Sequence, residues 1–155
     1  KTLSTRSVDV LYPTLHAGAF DFPEEDAAET KVQLQSNTCT FLSINRYERK
    51  KNIGLAIEAF QAFYDSADET IRQQLRLIVA GGYDDRVMEN VEHYNELRAV
   101  AKAALMEDGT IIFLKSPDDA TKRHLMRNAA AVVYTPANEH FGIVPVEAMY
   151  LGALL

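Results

Sequence analysis

Two groups of residues in this 155-residue chain have the types and spacing to do chemistry. Arg46, Arg49, Lys50 and Lys51 crowd four cations into one short stretch of a chain that carries 16 Lys and Arg against 22 Asp and Glu. Arg offers phosphate oxygens a planar fork and Lys a mobile point charge, so together they would stabilise a diphosphate. A solvated basic turn explains the same cluster on charge alone. The second group is Glu139 and Glu147, eight positions apart around Gly142 and Pro145. Proline suits a first helical turn, so the N–H groups near Gly142, Ile143 and Val144 would face an anion at a helix N-terminus, with Glu147 inside the helix. Read alone, two glutamates flanking a helix start are ordinary surface residues. As nucleophile and acid of a retaining hydrolase they are badly spaced. Eight residues at about 1.5 Å each hold the backbones ~12 Å apart, against roughly 5 Å between the carboxyl groups of such enzymes.

Other catalytic signatures are absent. His16, His93, His124 and His140 stand apart from one another and Cys39 is the single cysteine, so a zinc site has no framework and no metal is expected. No G-x-S-x-G elbow, phosphate-binding G-x-x-x-x-G-K loop or G-x-G-x-x-G fingerprint occurs. Asp84-Asp85 and Asp118-Asp119 are adjacent pairs, not the D-x-D spacing that chelates a metal on a nucleotide sugar.

Both candidate groups need a scaffold, and the hydropathy pattern supplies one. Short apolar runs at 8–12, 40–44, 75–80, 111–114 and 130–134 alternate with amphipathic stretches, the pattern of a parallel sheet with helices on its faces. Ile53, Ala56, Ile57, Phe60 and Phe63 recur at helical spacing behind Asn52, which stands where an N-cap oxygen would satisfy the first N–H groups. Val91 to Leu105 form a longer helical pattern whose polar side, with Glu92, Glu96 and Arg98, reads as a solvated face. Ser116-Pro117-Asp118-Asp119 opens another helix, running to about Asn128, with the proline in its first turn and the acids at the positive dipole end. Residues 14–37 are acidic and weakly periodic, an exposed loop or hinge. The basic cluster and Glu139 thus each follow a predicted strand, the edge of an open α/β sheet where ligands sit.

Length and composition agree with one α/β domain. At 47% hydrophobic residues the chain can build a core without staples, and a net charge of −6 has the wrong sign for holding a nucleic-acid backbone. A lone Cys39 suits a reducing compartment and a buried apolar role. No run is long and apolar enough to span a membrane, so the chain reads as soluble. It starts at Lys1 and stops at Leu155 straight after a helical pattern, so it reads as part of something longer, with any membrane association in segments outside it.

Arg46 with Lys51 five positions on, and Glu139 with Glu147 in an E-x7-E pattern near a later helix start, resemble the nucleotide-sugar half of retaining GT-B glycosyltransferases. Residues 41–52, 77–84 and 134–145 are similar to the α-1,3/1,6-mannosyltransferases of dolichol-linked oligosaccharide assembly, and the similarity runs from about Val8 to Gly152. That resemblance implies the donor domain of a GT-B fold, Rossmann-like and incomplete, over residues 1–155. It implies GDP-mannose as donor and a dolichol diphosphate-linked Man-GlcNAc2 acceptor at the cytosolic face of the endoplasmic reticulum, with no metal or other cofactor.

By the same resemblance, Arg46 and Lys51 bind the diphosphate and offset charge on the leaving GDP, and Glu139 holds hydroxyls of the donor sugar. Backbone N–H groups from Phe141 through Gly142 and Ile143 to Val144 meet sugar and phosphate, Glu147 accepts from the ribose, and Lys115 falls in the base-binding loop. Retention follows from same-face attack assisted by the leaving phosphate. The family carries an acceptor domain before this region and a strand and closing helices after it, so the chain alone is expected to have negligible transferase activity and an exposed sheet edge. Two alternatives stay open: a noncatalytic α/β interaction module, and a transferase using another sugar nucleotide.

Overall fold

A computed structural model describes residues 37–104, 109–137 and 141–155, together with 14, 15, 18, 34, 106 and 139. The expected strand at 8–12 and most of the loop at 14–37 lie outside the described residues. In chain order the elements are β1 (Cys39–Ile44), a 3-10 turn (Arg49–Lys51), α1 (Ile53–Ser66), α2 (Glu69–Arg72), β2 (Leu75–Gly81), α3 (Met88–Ala103), β3 (Ile111–Lys115), α4 (Asp119–Asn128), β4 (Ala131–Val132) and α5 (Ile143–Tyr150).

Among the described residues the four strands are parallel, in the order β3-β2-β1-β4. A parallel sheet is covered on both faces, which is why its strands read as continuous apolar runs. Alternation splits β2 between two cores: Leu77 and Val79 pack with Ile57 of α1 and Leu97 of α3, while Ile78 and Ala80 pack with Leu125 of α4 and Ala148 of α5. This is the Rossmann-like arrangement expected, with helices on both faces. Among the described residues no helix is long and apolar enough to cross a membrane.

Four local expectations need correction. Asn52 stands at the start of α1, but its side chain caps nothing; with φ 50° it turns the chain left-handed between the 3-10 turn and the helix, a conformation asparagine tolerates. Pro117 precedes the N-cap of α4 instead of sitting in the first turn, because Asp118 supplies the capping oxygen, accepting from the Thr121 N–H at 2.7 Å. The 130–134 run is a strand only over Ala131–Val132. Ala130 and Val133 still donate N–H groups to Thr40 and Leu42 of β1, but the chain then leaves the sheet, and Thr135 bonds to the loop beyond β1. The polar face of α3 is not merely solvated, because Glu92 and Glu96 hold Arg49. On the outer side of β4, the Val132 N–H donates to the Leu154 carbonyl at 2.7 Å.

Candidate active site

Strand order reverses between β1 and β4: the chain leaves β1 towards β2 on one side and returns to β4 on the other. In open α/β sheets the loops that follow two such neighbours flank the crevice where ligands sit, at the carboxyl edge of the sheet. One wall is the stretch from Arg46 to Lys51, and the other is Tyr134 to Ala137, Glu139 and the start of α5.

The two walls are joined at the crevice. The Lys51 ammonium donates to Glu139 Oε1 at 2.7 Å and to Oε2 at 2.8 Å, across 88 positions of sequence. The Tyr134 hydroxyl donates to Glu139 Oε2 at 2.7 Å, and the Thr135 hydroxyl donates to the Lys51 carbonyl at 2.9 Å. These contacts hold the Glu139 carboxyl below its ordinary range, chiefly through the hydrogen bonds from Lys51 and then Tyr134. The Tyr134 phenol is pushed up to about 12, by burial first and by its bond to Glu139 second. Lys51 is mostly enclosed, at 12% side-chain exposure. An ammonium has three donors and two are spent on Glu139, so one remains for a ligand anion.

The other cations of the cluster go elsewhere. Arg46 and Lys50 are exposed and lie on opposite oxygens of Glu48, at 2.9 and 3.0 Å. Arg49 turns away to α3, donating to Glu92 at 3.1 Å and Glu96 at 2.6 Å, and Glu89 accepts its backbone N–H. Close approach of the β1 and β2 ends requires Gly81, since a β-carbon there would stand 1.7 Å from the Asn45 carbonyl oxygen.

Gly142 opens α5 in the left-handed region at φ 77°, with no side chain capping the helix. The N–H groups of Ile143 and Val144 fall in the first turn, where an α-helix offers no internal acceptor, and Pro145 has no N–H to satisfy. The half-exposed Phe141 flanks this end. Glu147 lies one turn further into α5, enclosed, with Oε2 2.7 Å from the Lys122 ammonium of α4. Lys115 sits at the end of β3, two strands away from β1, with its ammonium 3.8 Å from the ring centre of Tyr83 and 3.9 Å from that of Tyr94. The fold therefore brings Lys51, Glu139 and the α5 N-terminus together, keeps Arg46 at the rim, and sets Lys115 apart.

Tyr134, Thr135 and Lys122 were not singled out from sequence. The first two follow a strand directly, at the edge where ligands sit, a signal that was available. Lys122 is one cation beside Arg123 and Arg127 on α4 and carries no such signal. Among the described residues, no three His, Cys, Asp or Glu side chains cluster to hold a metal ion.

The arrangement is a Rossmann-like parallel α/β domain with a cation–carboxylate pair and a helix N-terminus at its switch point. The chain belongs to the glycosyl transferases group 1 family, whose family model matches residues 24–155. It is 45% identical over 151 residues to alpha-1,3/1,6-mannosyltransferase ALG2 of Mus musculus, covering 97% of this chain and 36% of that protein. The protein of the same name from Saccharomyces cerevisiae is 35% identical over 165 residues, covering 93% of this chain and 32% of its own. The chain thus spans about a third of the length of these curated relatives. Among solved structures, Anabaena Alr3699/HepE in complex with UDP and glucose superimposes with a TM-score of 0.71 at 22% identity, over 94% of this chain and 36% of that one. The OtsA apo structure gives 0.70 at 16% identity, over 87% and 31%. At these identities the likeness is one of fold.

Proposed function

We propose that this chain is the donor-binding part of a glycosyltransferase that moves mannose from GDP-mannose to a dolichol diphosphate-linked Man-GlcNAc2 acceptor, with retention, in N-glycan precursor synthesis. The observation that carries this reading is the meeting of Lys51 and Glu139 beside the α5 N-terminus. It is supported by the relatives named mannosyltransferase at 35–45% identity.

In this reading Lys51 turns its remaining N–H to the diphosphate, and Arg46 swings from Glu48 to the same group. Positive charge placed there beforehand is worth most in the transition state, when charge builds on the leaving GDP. The Ile143 and Val144 N–H groups add donors at the positive end of a helix. Glu139, kept ionised by Lys51 and Tyr134, accepts from mannose hydroxyls, and Glu147 accepts from the ribose. The leaving phosphate assists attack from its own face, and these cations take the place a metal would otherwise fill. Lys115, at the end of β3 with its ammonium over the Tyr83 and Tyr94 rings, takes no part in this reading. Acceptor binding and attachment to the cytosolic face of the endoplasmic reticulum belong to the part of the relatives' length that the chain does not span.

Thermal denaturation of the chain with GDP, GDP-mannose, UDP and ADP tests the proposal. Ligand at roughly 100 times Kd raises Tm by about 5–10 °C for a domain of this size. The guanine nucleotides are expected to give that shift, and Lys51→Ala to lose most of it. A larger shift with UDP or ADP would move the donor to another sugar nucleotide. No shift in a cooperatively folded chain would leave a noncatalytic α/β module.

A further inference from the structure

We infer that Lys122 is a positioning residue for nucleotide recognition: its ammonium fixes Glu147 so that one carboxylate oxygen is left to read the ribose hydroxyls. The inference rests on the donor-site reading above and assigns a role to a residue of α4 that the reading does not use.

Lys122 Nζ stands 2.7 Å from Glu147 Oε2, with side-chain exposures of 28% and 12%. Glu147 Oε2 is closed to solvent, and the Lys122 ammonium is the charge that compensates it. A mostly enclosed carboxylate without such a partner is costly. Both ends of the pair stand on firm supports. The first turn of α4 is pinned by the Asp118 cap on the Thr121 N–H, and Leu125 and Met126 anchor the helix in the core that also takes Ala148, the residue after Glu147. With backbones held on both sides, the carboxylate plane is set by the ion pair. Lys122 occupies Oε2, so the acceptor capacity assigned to ligand hydroxyls is that of Oε1. A pair of vicinal hydroxyls is the chemistry that matches such an acceptor.

The contrast with Lys51 sharpens the assignment. Lys51 spends two donors on both oxygens of Glu139 and lies in a loop at the crevice, whereas Lys122 engages one oxygen from within a helix. The first lysine is placed to meet ligand, the second to hold another side chain still.

The test compares binding of GDP and 2′,3′-dideoxy-GDP to the full chain by titration calorimetry. Hydrogen bonds to a charged acceptor predict that the wild-type chain prefers GDP roughly tenfold or more. Lys122→Met is expected to cut that preference to less than about threefold while leaving dideoxy-GDP affinity near wild type, and Lys122→Arg to restore it. Adding Glu147→Gln to Lys122→Met is expected to bring no further loss. Should the methionine variant lack a cooperative unfolding transition, Lys122→Gln provides the same reading. Full preference retained without the lysine charge, or equal weakening of both ligands, would overturn the inference and leave the donor site standing. A wild-type chain that binds neither nucleotide defeats the donor-site reading, and this inference with it.

Discussion

The Tyr134 hydroxyl oxygen lies 2.9 Å from where a β-carbon on Gly142 would stand, so the residue that steadies Glu139 also packs against the opening of α5. Gly142→Ala therefore meets two penalties, a left-handed backbone at φ 77° and a clash that pushes Tyr134 off Glu139. A loss of about 1–2 kcal/mol in unfolding free energy is expected, measured by denaturant titration. The loss should shrink in a Tyr134→Phe background, where the hydroxyl is gone.

The Lys51–Glu139 pair is more enclosed than an ordinary surface bridge, at 12% and 31% side-chain exposure. A double-mutant cycle with Lys51→Met and Glu139→Gln is expected to show a coupling of about 1 kcal/mol, the upper end for exposed pairs and well below a fully buried one. Additive single effects would mean that the two loops are held together by Thr135 and Tyr134 instead.

Acid should loosen the crevice. The Glu139 carboxyl is lowered on folding by Lys51 and Tyr134, from an ordinary 4.5. A lowered carboxyl contributes its stability in full above the unfolded pKa and loses it as pH falls through the folded value. The stability gap between wild type and Glu139→Gln should be widest near neutral pH and close as the pH drops below about 4.5. Asp84, held at about 2 by Arg86, and Glu96, lowered by Arg49 and His93, also titrate in acid. Both are present in the two proteins and cancel in the difference.

Tyr47, fully buried next to Arg46, ties three strands at the carboxyl edge. It follows β1, and its single hydroxyl proton is shared between the Val79 carbonyl of β2 at 2.9 Å and the Leu114 carbonyl of β3 at 3.1 Å. Burial pushes its phenol well above the ordinary range. Tyr47→Phe keeps the ring among Tyr83 and Tyr94 but removes the buried hydrogen bond that the hydroxyl shares between the two carbonyls. A destabilisation of about 1–2 kcal/mol in denaturant titration is expected, with the loop that carries Lys51 loosened in hydrogen exchange.

Much of the scaffold could be read from the amino-acid order, because a buried parallel strand writes itself as a local apolar run. The runs at 40–44, 75–80 and 111–114 match β1, β2 and β3 to within one residue at each end. Lys51 and Glu139 could be singled out for a similar local reason: each follows a strand, and strand ends are where this fold class gathers ligands. Pairing was a different matter. Nothing in the spacing of Arg49, Lys115 or Glu147 says that the first reaches Glu92 and Glu96, the second lies over two tyrosine rings, or the third meets Lys122. Long charged side chains choose among whatever surfaces the packed helices set opposite them, and the sheet order β3-β2-β1-β4 that decides this is a property of distant segments meeting in space. Local periodicity follows from which face of an element must leave water. The partner of a charge follows only from three-dimensional neighbourhood.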